Sequence, residues 1–248
     1  MPLKNHAHAL FDDLIPLACC ALLIALSLLL LIGQYTDIDL ILADQYFDRA
    51  RQTFPWDNTW FGRDLMHGWV KKIVVWSGFA IIMIAALDLA LRFTWLDALR
   101  RVQIRVLALA GIIEPMVIRK LKSASVLHCP WGVDRYGGKA PFLRLLDSVP
   151  PDWQAGHCFP AGHASAGMWL CALAVLWLPH SPRKALAVYL GGLGFGLVLG
   201  WVQQMRGQHF LSHTLWTAWI ASALFTLLLA IFSRQLIAAA AARTQLPA

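Results

Sequence analysis

Six stretches of this chain stay apolar for about twenty residues each, and the polar residues collect between them. They cover residues 14–33, 73–93, 103–121, 163–179, 186–206 and 213–233. A helix that crosses a bilayer needs about 20 mostly apolar residues. The pattern therefore predicts an all-α fold, a polytopic membrane helical bundle of about six transmembrane helices. Trp and Tyr cluster near the ends of the stretches, as interfacial anchors do. Two longer polar segments interrupt the series, at 34–72 and at about 122–162. In the first, Ile38 to Phe54 mixes Ile41, Phe47 and Phe54 with acids and arginines. That mixture suits either an interfacial amphipathic helix or a loop with one short helix. The second holds clusters of Pro, Gly and Trp, and connections of that length are usually functional. Gly192, Gly196 and Gly200 recur every four residues in the fifth stretch, a spacing that lets two membrane helices approach closely. The end of the chain, Ala238–Ala248, reads as a frayed tail.

Composition narrows the class. Of 248 residues, 58% are hydrophobic and 14% charged, against about 25% charged in a soluble domain. One membrane-embedded domain over 1–248 is expected, with no separate soluble domain. The formal charge of +7 suits anionic lipid headgroups. The basic residues are spread over loops and no basic helix stands out, so nucleic acid is not an expected partner. Arg92, Arg100, Arg101 and Arg105 bracket one short connection, Arg183 and Lys184 occupy another, and Arg234 and Arg243 lie in the tail. By the positive-inside rule these mark the cytoplasmic side and place both termini there. No cleavable signal peptide is read at the start. Asp88 and Glu114 fall inside spans, where acids are functional candidates by default. Asp88 is expected to pair with Arg92. Glu114 either supports Lys122 or packs against a buried partner. The sequence is silent on oligomeric state.

Three separated segments carry candidate chemistry. The first runs from Lys122 to Cys129-Pro130, the second is Pro160-Ala161-Gly162-His163, and the third runs from Gln203 through Arg206 and His209 to His213. Together they resemble the signature of the type 2 phosphatidic acid phosphatase superfamily: Lys-x6-Arg-Pro, Pro-Ser-Gly-His and Ser-Arg-x5-His-x3-Asp. The likeness covers about residues 115–220. Cys129 stands at the family's Arg, Ala161 at its Ser, Gln203 at its second Arg and His213 at its Asp. Arg206 lies about one helical turn beyond Gln203, and we expect it to supply the missing guanidinium. The resemblance implies a metal-independent membrane lipid phosphatase. His209 would be the nucleophile that forms a phosphohistidine, and His163 the acid for the leaving group and then the base for water. His213 would be the neighbour that fixes the tautomer of His209. Lys122, Arg206, Gln203 and the backbone at Gly162 would bind phosphate. No cofactor and no metal are expected. The implied partners are a lipid phosphate or diphosphate and the bilayer. The implied location is the bacterial inner membrane, with the site facing the periplasm.

Other readings of the same residues stay open. His157, His163, His209 and His213 are also a possible zinc set. The same constellation would serve a lipid phosphotransferase or a non-catalytic lipid-phosphate binder or transporter. Under the resemblance the first two motifs converge on one phosphate, which brings Cys129 and Cys158 together. A disulfide between them is expected on an oxidising side of the membrane.

Overall fold

The structure, a computed structural model, describes residues 2–243, and of residues 2–7 the backbone only. Among the described residues there are seven α-helices and no strand. Helix α1 (Pro2–Tyr35) is followed by a short α2 (Ile38–Asp44). A π-helical segment, Trp60–Val70, runs directly into α3 (Lys71–Leu91). Next come α4 (Ala98–Ala124) and α5 (Gly162–Met168), which continues as a tighter 3-10 helix over Trp169–Trp177. Helices α6 (Pro182–Met205) and α7 (Leu211–Arg243) complete the bundle. The protein is a multi-pass membrane protein. Among the described residues, four helices are long and apolar enough to cross a bilayer: His8–Tyr35, Trp60–Leu91, Pro182–Met205 and Leu211–Arg243. Gly162–Trp177 is a shorter apolar helix.

Each apolar stretch of the sequence lies on a helix, and of the two readings of 38–54 the loop with one short helix holds. The fourth stretch is α-helical only to Met168 and then tightens. The segment 38–54 is helical only over Ile38–Asp44; beyond it the chain turns, and Asp48 bridges to Thr53. Phe47 and Phe54 lie in a buried aromatic cluster with Tyr136 and Phe210, so these rings fix the two long polar segments to each other and do not line an interfacial face. Residues 238–243 are the last turns of α7, with Ala239 and Ala240 buried in the core. The rest of the expected tail, 244–248, lies outside the described residues.

Helix α4 has charged ends but runs through the interior, burying Leu99, Val106, Leu107 and Ile118. Its Gln103 amide donates to the carbonyls of Val175 at 3.0 Å and Leu178 at 2.9 Å, where the fourth span ends. Asp88 pairs with Arg101 at 3.3 Å and Arg105 at 3.8 Å instead of the expected Arg92. The cause is local: Arg92 is the left-handed C-cap of α3 (φ 47°), so the chain turns away there. The antiparallel α4 then presents its own arginines to the carboxylate.

The glycine repeat of α6 makes a close helix contact. A Cβ on Gly192 would lie 2.4 Å from the Cys171 nitrogen, and one on Gly196 2.2 Å from Met168 Cγ. One on Gly200 would lie 2.2 Å from Thr214 Cγ2. Small residues are required where α6 crosses the fourth span and the start of α7. By contrast Gly191 and Gly194 face open space. Helix α1 packs more loosely. The indole of Trp219 donates to the Leu22 carbonyl at 2.9 Å, and an apolar groove of about 660 Å³ remains between α1, α6 and α7. The described ends of α1 and α7 lie at the same end of the bundle. All three motif segments lie at the other end, where α4 and α6 finish and α5 and α7 begin.

Candidate active site

Each functional side chain is held by the way its helix starts or stops. Helix α6 stops at Arg206 because Gly207 adopts φ +69°. The Gly207 N–H bonds to the Gln204 carbonyl at 2.9 Å, and the Gln208 N–H to the Gln203 carbonyl at 2.8 Å. This pair of bonds is a Schellman cap, which favours glycine in the left-handed position. A Cβ there would also lie 2.2 Å from the Phe54 ring. The chain then turns through His209 into α7. Asp39 of α2 receives the Ser212 N–H at 2.8 Å and also its hydroxyl. A carboxylate at a helix N-terminus is favourably placed. Burial raises the Asp39 carboxyl above its ordinary range, and the bonds from Ser212 oppose that rise.

The two ends of the second long polar segment, about 122–162, are tied beside this turn. Cys158 N–H bonds to the Leu127 carbonyl at 3.0 Å and Gly156 N–H to Val126 at 3.2 Å. Gly156 has no room for a side chain, since a Cβ would lie 2.5 Å from the Leu127 oxygen. Cys129 and Cys158 are joined as a disulfide with their Cα atoms 5.2 Å apart. The Ala161 N–H bonds to the His213 carbonyl at 3.1 Å, which fixes the second motif to α7.

His209 is buried. Its Nδ1 lies 3.5 Å from Cys158 Sγ. Burial holds its pKa well below the ordinary histidine range, and His213, Lys122 and His163 act in the same direction. His209 and His213 do not share a helical face, because α7 begins only at Leu211. Their rings still meet edge-on, with centroids 5.7 Å apart. Among the described residues no hydrogen bond joins the two rings. His213 sits instead edge-on to Phe159 and Phe210. The neighbour of Nδ1 is therefore Cys158, a role that the sequence reading gave to His213.

His163 is the second residue of α5 and is 5% exposed. Neither ring nitrogen makes a hydrogen bond of full geometry among the described residues, and the backbone of Met66 is the nearest partner acting on the ring. Lys122, at the end of α4, lies over the start of α5: a Cβ on Gly162 would be 4.0 Å from its Nζ. Arg206 is buried, and it shares a face with Gln203 as expected. Its Nη1 donates to Gln203 Oε1 at 3.2 Å and its Nη2 to Asp57 Oδ1 at 2.9 Å. Arg206 Nε, Gln203 Nε2 and Gln204 Nε2 are buried donors with no acceptor among the described residues.

A model of the PAP2 superfamily matches residues 103–237, more than half of the chain. The chain belongs to the PAP2 superfamily. No curated protein and no solved structure matches it. Members of the PAP2 superfamily are phosphatases, and a phosphatase-type activity on a phosphoric ester is supported on that ground. The buried, unsatisfied donors suit an anion with several acceptor oxygens.

Sequence reasoning missed the part played by the first long polar segment, 34–72. Asp57 holds Arg206 and accepts from Gln208 Nε2 at 3.1 Å. His67 stacks on His163. Lys71 is close enough for its charge to act on His163 and Lys122. One signal was available: His67 and Lys71 are four residues apart and so share a helical face. Nothing in the spacing of Asp57 marks it.

A metal reading does not fit these donors. Cys129, Cys158 and His209 bring ligand atoms within 4.8 Å of one another, but the two sulfurs are bonded to each other. Cysteine ligates a metal as its thiolate, and a disulfide offers none. Among the described residues no set of His157, His163, His209 and His213 comes together in that way.

Proposed function

We propose that this PAP2 superfamily chain is a single-domain integral membrane lipid phosphatase. It removes a phosphate from a lipid phosphate or diphosphate at the periplasmic face of a bacterial inner membrane, without a metal. The observation that carries the reading is the meeting of Lys122, His163, Arg206 and His209 at one end of the bundle, beside buried donors that lack acceptors. At that end a headgroup phosphate reaches the site while its tail stays in the bilayer. Short connections rich in arginine at the opposite end support the orientation.

The proposed chemistry assigns each group a task. Lys122, Arg206, Gln203 and the backbone at Gly162 neutralise and orient the phosphate oxygens. A disulfide sulfur can only accept, so the 3.5 Å contact of Cys158 Sγ with His209 Nδ1 is a hydrogen bond only in the tautomer with the proton on Nδ1, and that tautomer leaves Nε2 the lone pair that attacks phosphorus. Burial favours the neutral nucleophile. His163 protonates the departing oxygen and later takes a proton from the water that splits the phosphohistidine. His213 packs beside His209 within its aromatic surroundings and limits how the nucleophile can turn.

The test is a panel of lipid phosphates and diphosphates given to purified protein in detergent, with and without a second lipid as acceptor. Release of inorganic phosphate supports the reading. A phosphorylated second lipid would make the chain a phosphotransferase. Neither product would make it a lipid-phosphate binder or transporter.

A further inference from the structure

We propose that His67 is a positioning residue for His163: its imidazole lies flat on the His163 ring and holds that ring in the plane from which a nitrogen faces the departing oxygen. The inference rests on the phosphatase reading above.

The geometry is specific. The two ring centroids are 4.5 Å apart and the planes are inclined by 19°. His163 is buried, and the hydrogen-bond partner its ring has among the described residues is the backbone of Met66, next to His67, at a geometry short of a full bond. The terminal torsion of a histidine is soft, so a bond that weak leaves its plane to be set by packing. His67 supplies that packing on one face. Arg206 and Lys71 are the charged groups that act on the same ring, from α6 and from the start of α3.

The segment that carries His67 is itself anchored to the site. It is π-helical, a geometry frequent at functional sites. Thr59 caps it by accepting the Gly62 N–H at 3.1 Å. Gly62 packs so closely that a Cβ would lie 3.1 Å from Arg206 Cδ and 2.8 Å from the Trp56 oxygen. Arg206 in turn bonds Asp57. The first long polar segment, Arg206 and His163 thus form one packed unit.

Stacking suits a group that must hold and release a proton in turn. In the first step the His209 Nε2–phosphorus bond forms, the bond from phosphorus to the lipid oxygen breaks, and the His163 proton passes to that oxygen. In the second, water oxygen bonds to phosphorus, its proton passes to His163, and the nitrogen–phosphorus bond breaks to release phosphate. The proton is carried on the one nitrogen that faces the reacting oxygen, and the stack sets the plane of the ring without engaging that nitrogen.

The consequence is a dependence on the leaving group. An alkoxide leaves only if protonated, whereas p-nitrophenoxide leaves without help. The experiment compares kcat/KM for dodecyl phosphate and p-nitrophenyl phosphate in wild type, His67→Ala, His67→Phe and His67→Gln. Misplacing a general acid forfeits part of its contribution, so His67→Ala is expected to lose about 10- to 30-fold on dodecyl phosphate and less than about threefold on p-nitrophenyl phosphate. His67→Phe keeps a flat ring and restores the alkyl substrate to within about threefold of wild type; His67→Gln does not. Equal losses on both substrates, no loss on the alkyl substrate, or rescue by Gln and not by Phe would each overturn the inference. If His67→Ala fails to fold, the Phe and Gln variants decide it alone. Wild type that releases phosphate from neither substrate would remove the phosphatase reading and this inference with it. A flat variant pattern with an active wild type removes the inference alone.

Discussion

Replacing Arg206 by Lys separates the charge of this side chain from its shape. The side chain is 8% exposed. One nitrogen is committed to Asp57 at 2.9 Å and another to Gln203 at 3.2 Å, while Nε has no acceptor among the described residues. An ammonium has a single nitrogen and no planar fork. Seated on Asp57, it gives up the bond to Gln203 and the third donor, the one left without an acceptor. A hydrogen bond involving a charged group contributes about 1.5–3 kcal/mol, and about 1.4 kcal/mol is a factor of ten. Arg206→Lys should therefore lower kcat/KM by about 10- to 100-fold. Gln203→Ala removes a weaker contact, worth about 0.5–1.5 kcal/mol, and should cost about two- to tenfold. Phosphate release from a lipid phosphate measures both, with thermal unfolding in the same detergent as a check on folding. A larger loss in Gln203→Ala than in Arg206→Lys would refute the claim that Arg206 supplies the missing guanidinium.

Three further outcomes follow from the same geometry. Reducing the Cys129–Cys158 bond, which spans 29 residues, should destabilise the protein by about 3–4 kcal/mol in the chain-entropy account. Non-reducing mass mapping should find the cross-linked peptide, and free alkylation of both thiols would contradict it. Activity should persist in excess EDTA and be inhibited by vanadate as a phosphate mimic; loss in chelator with rescue by zinc would restore a metal reading. Gly196→Ala forces a Cβ to 2.2 Å from Met168 Cγ and should cost about 1–3 kcal/mol, whereas Gly194→Ala, in open space, should be close to neutral by thermal unfolding.

The helices were legible because a bilayer demands long apolar runs, and each run of that kind lies on a helix. The family resemblance singled out Lys122, His163, Arg206 and His209, and chain order placed each next to a helix end on one side. What spacing could not carry was contact across distant segments. The bond from Asp57 to Arg206 links residues 149 apart, and Asp57 sits in a loop whose sequence resembles its surroundings. The neighbour of His209 was misassigned for a related reason. Spacing of four suggests a shared helical face, but the Schellman cap at Gly207 delays α7 to Leu211. Nδ1 then faces Cys158, which arrives from another loop. Likewise the tight packing of α5 with α6 was readable from the glycine repeat, while the stack of His67 on His163 had only a four-residue spacing to Lys71 as its trace.

The central claim is covalent attack by His209. Brief incubation with a 32P-labelled lipid phosphate, followed by a denaturing quench, should give a phosphoenzyme that is labile in acid and stable in base, with the label on the peptide containing His209. His163→Ala should accumulate that species, because it lacks the base that activates water, and His209→Ala should form none while remaining folded. Turnover of His209→Ala near the wild-type rate, or label on any other residue, would contradict the account.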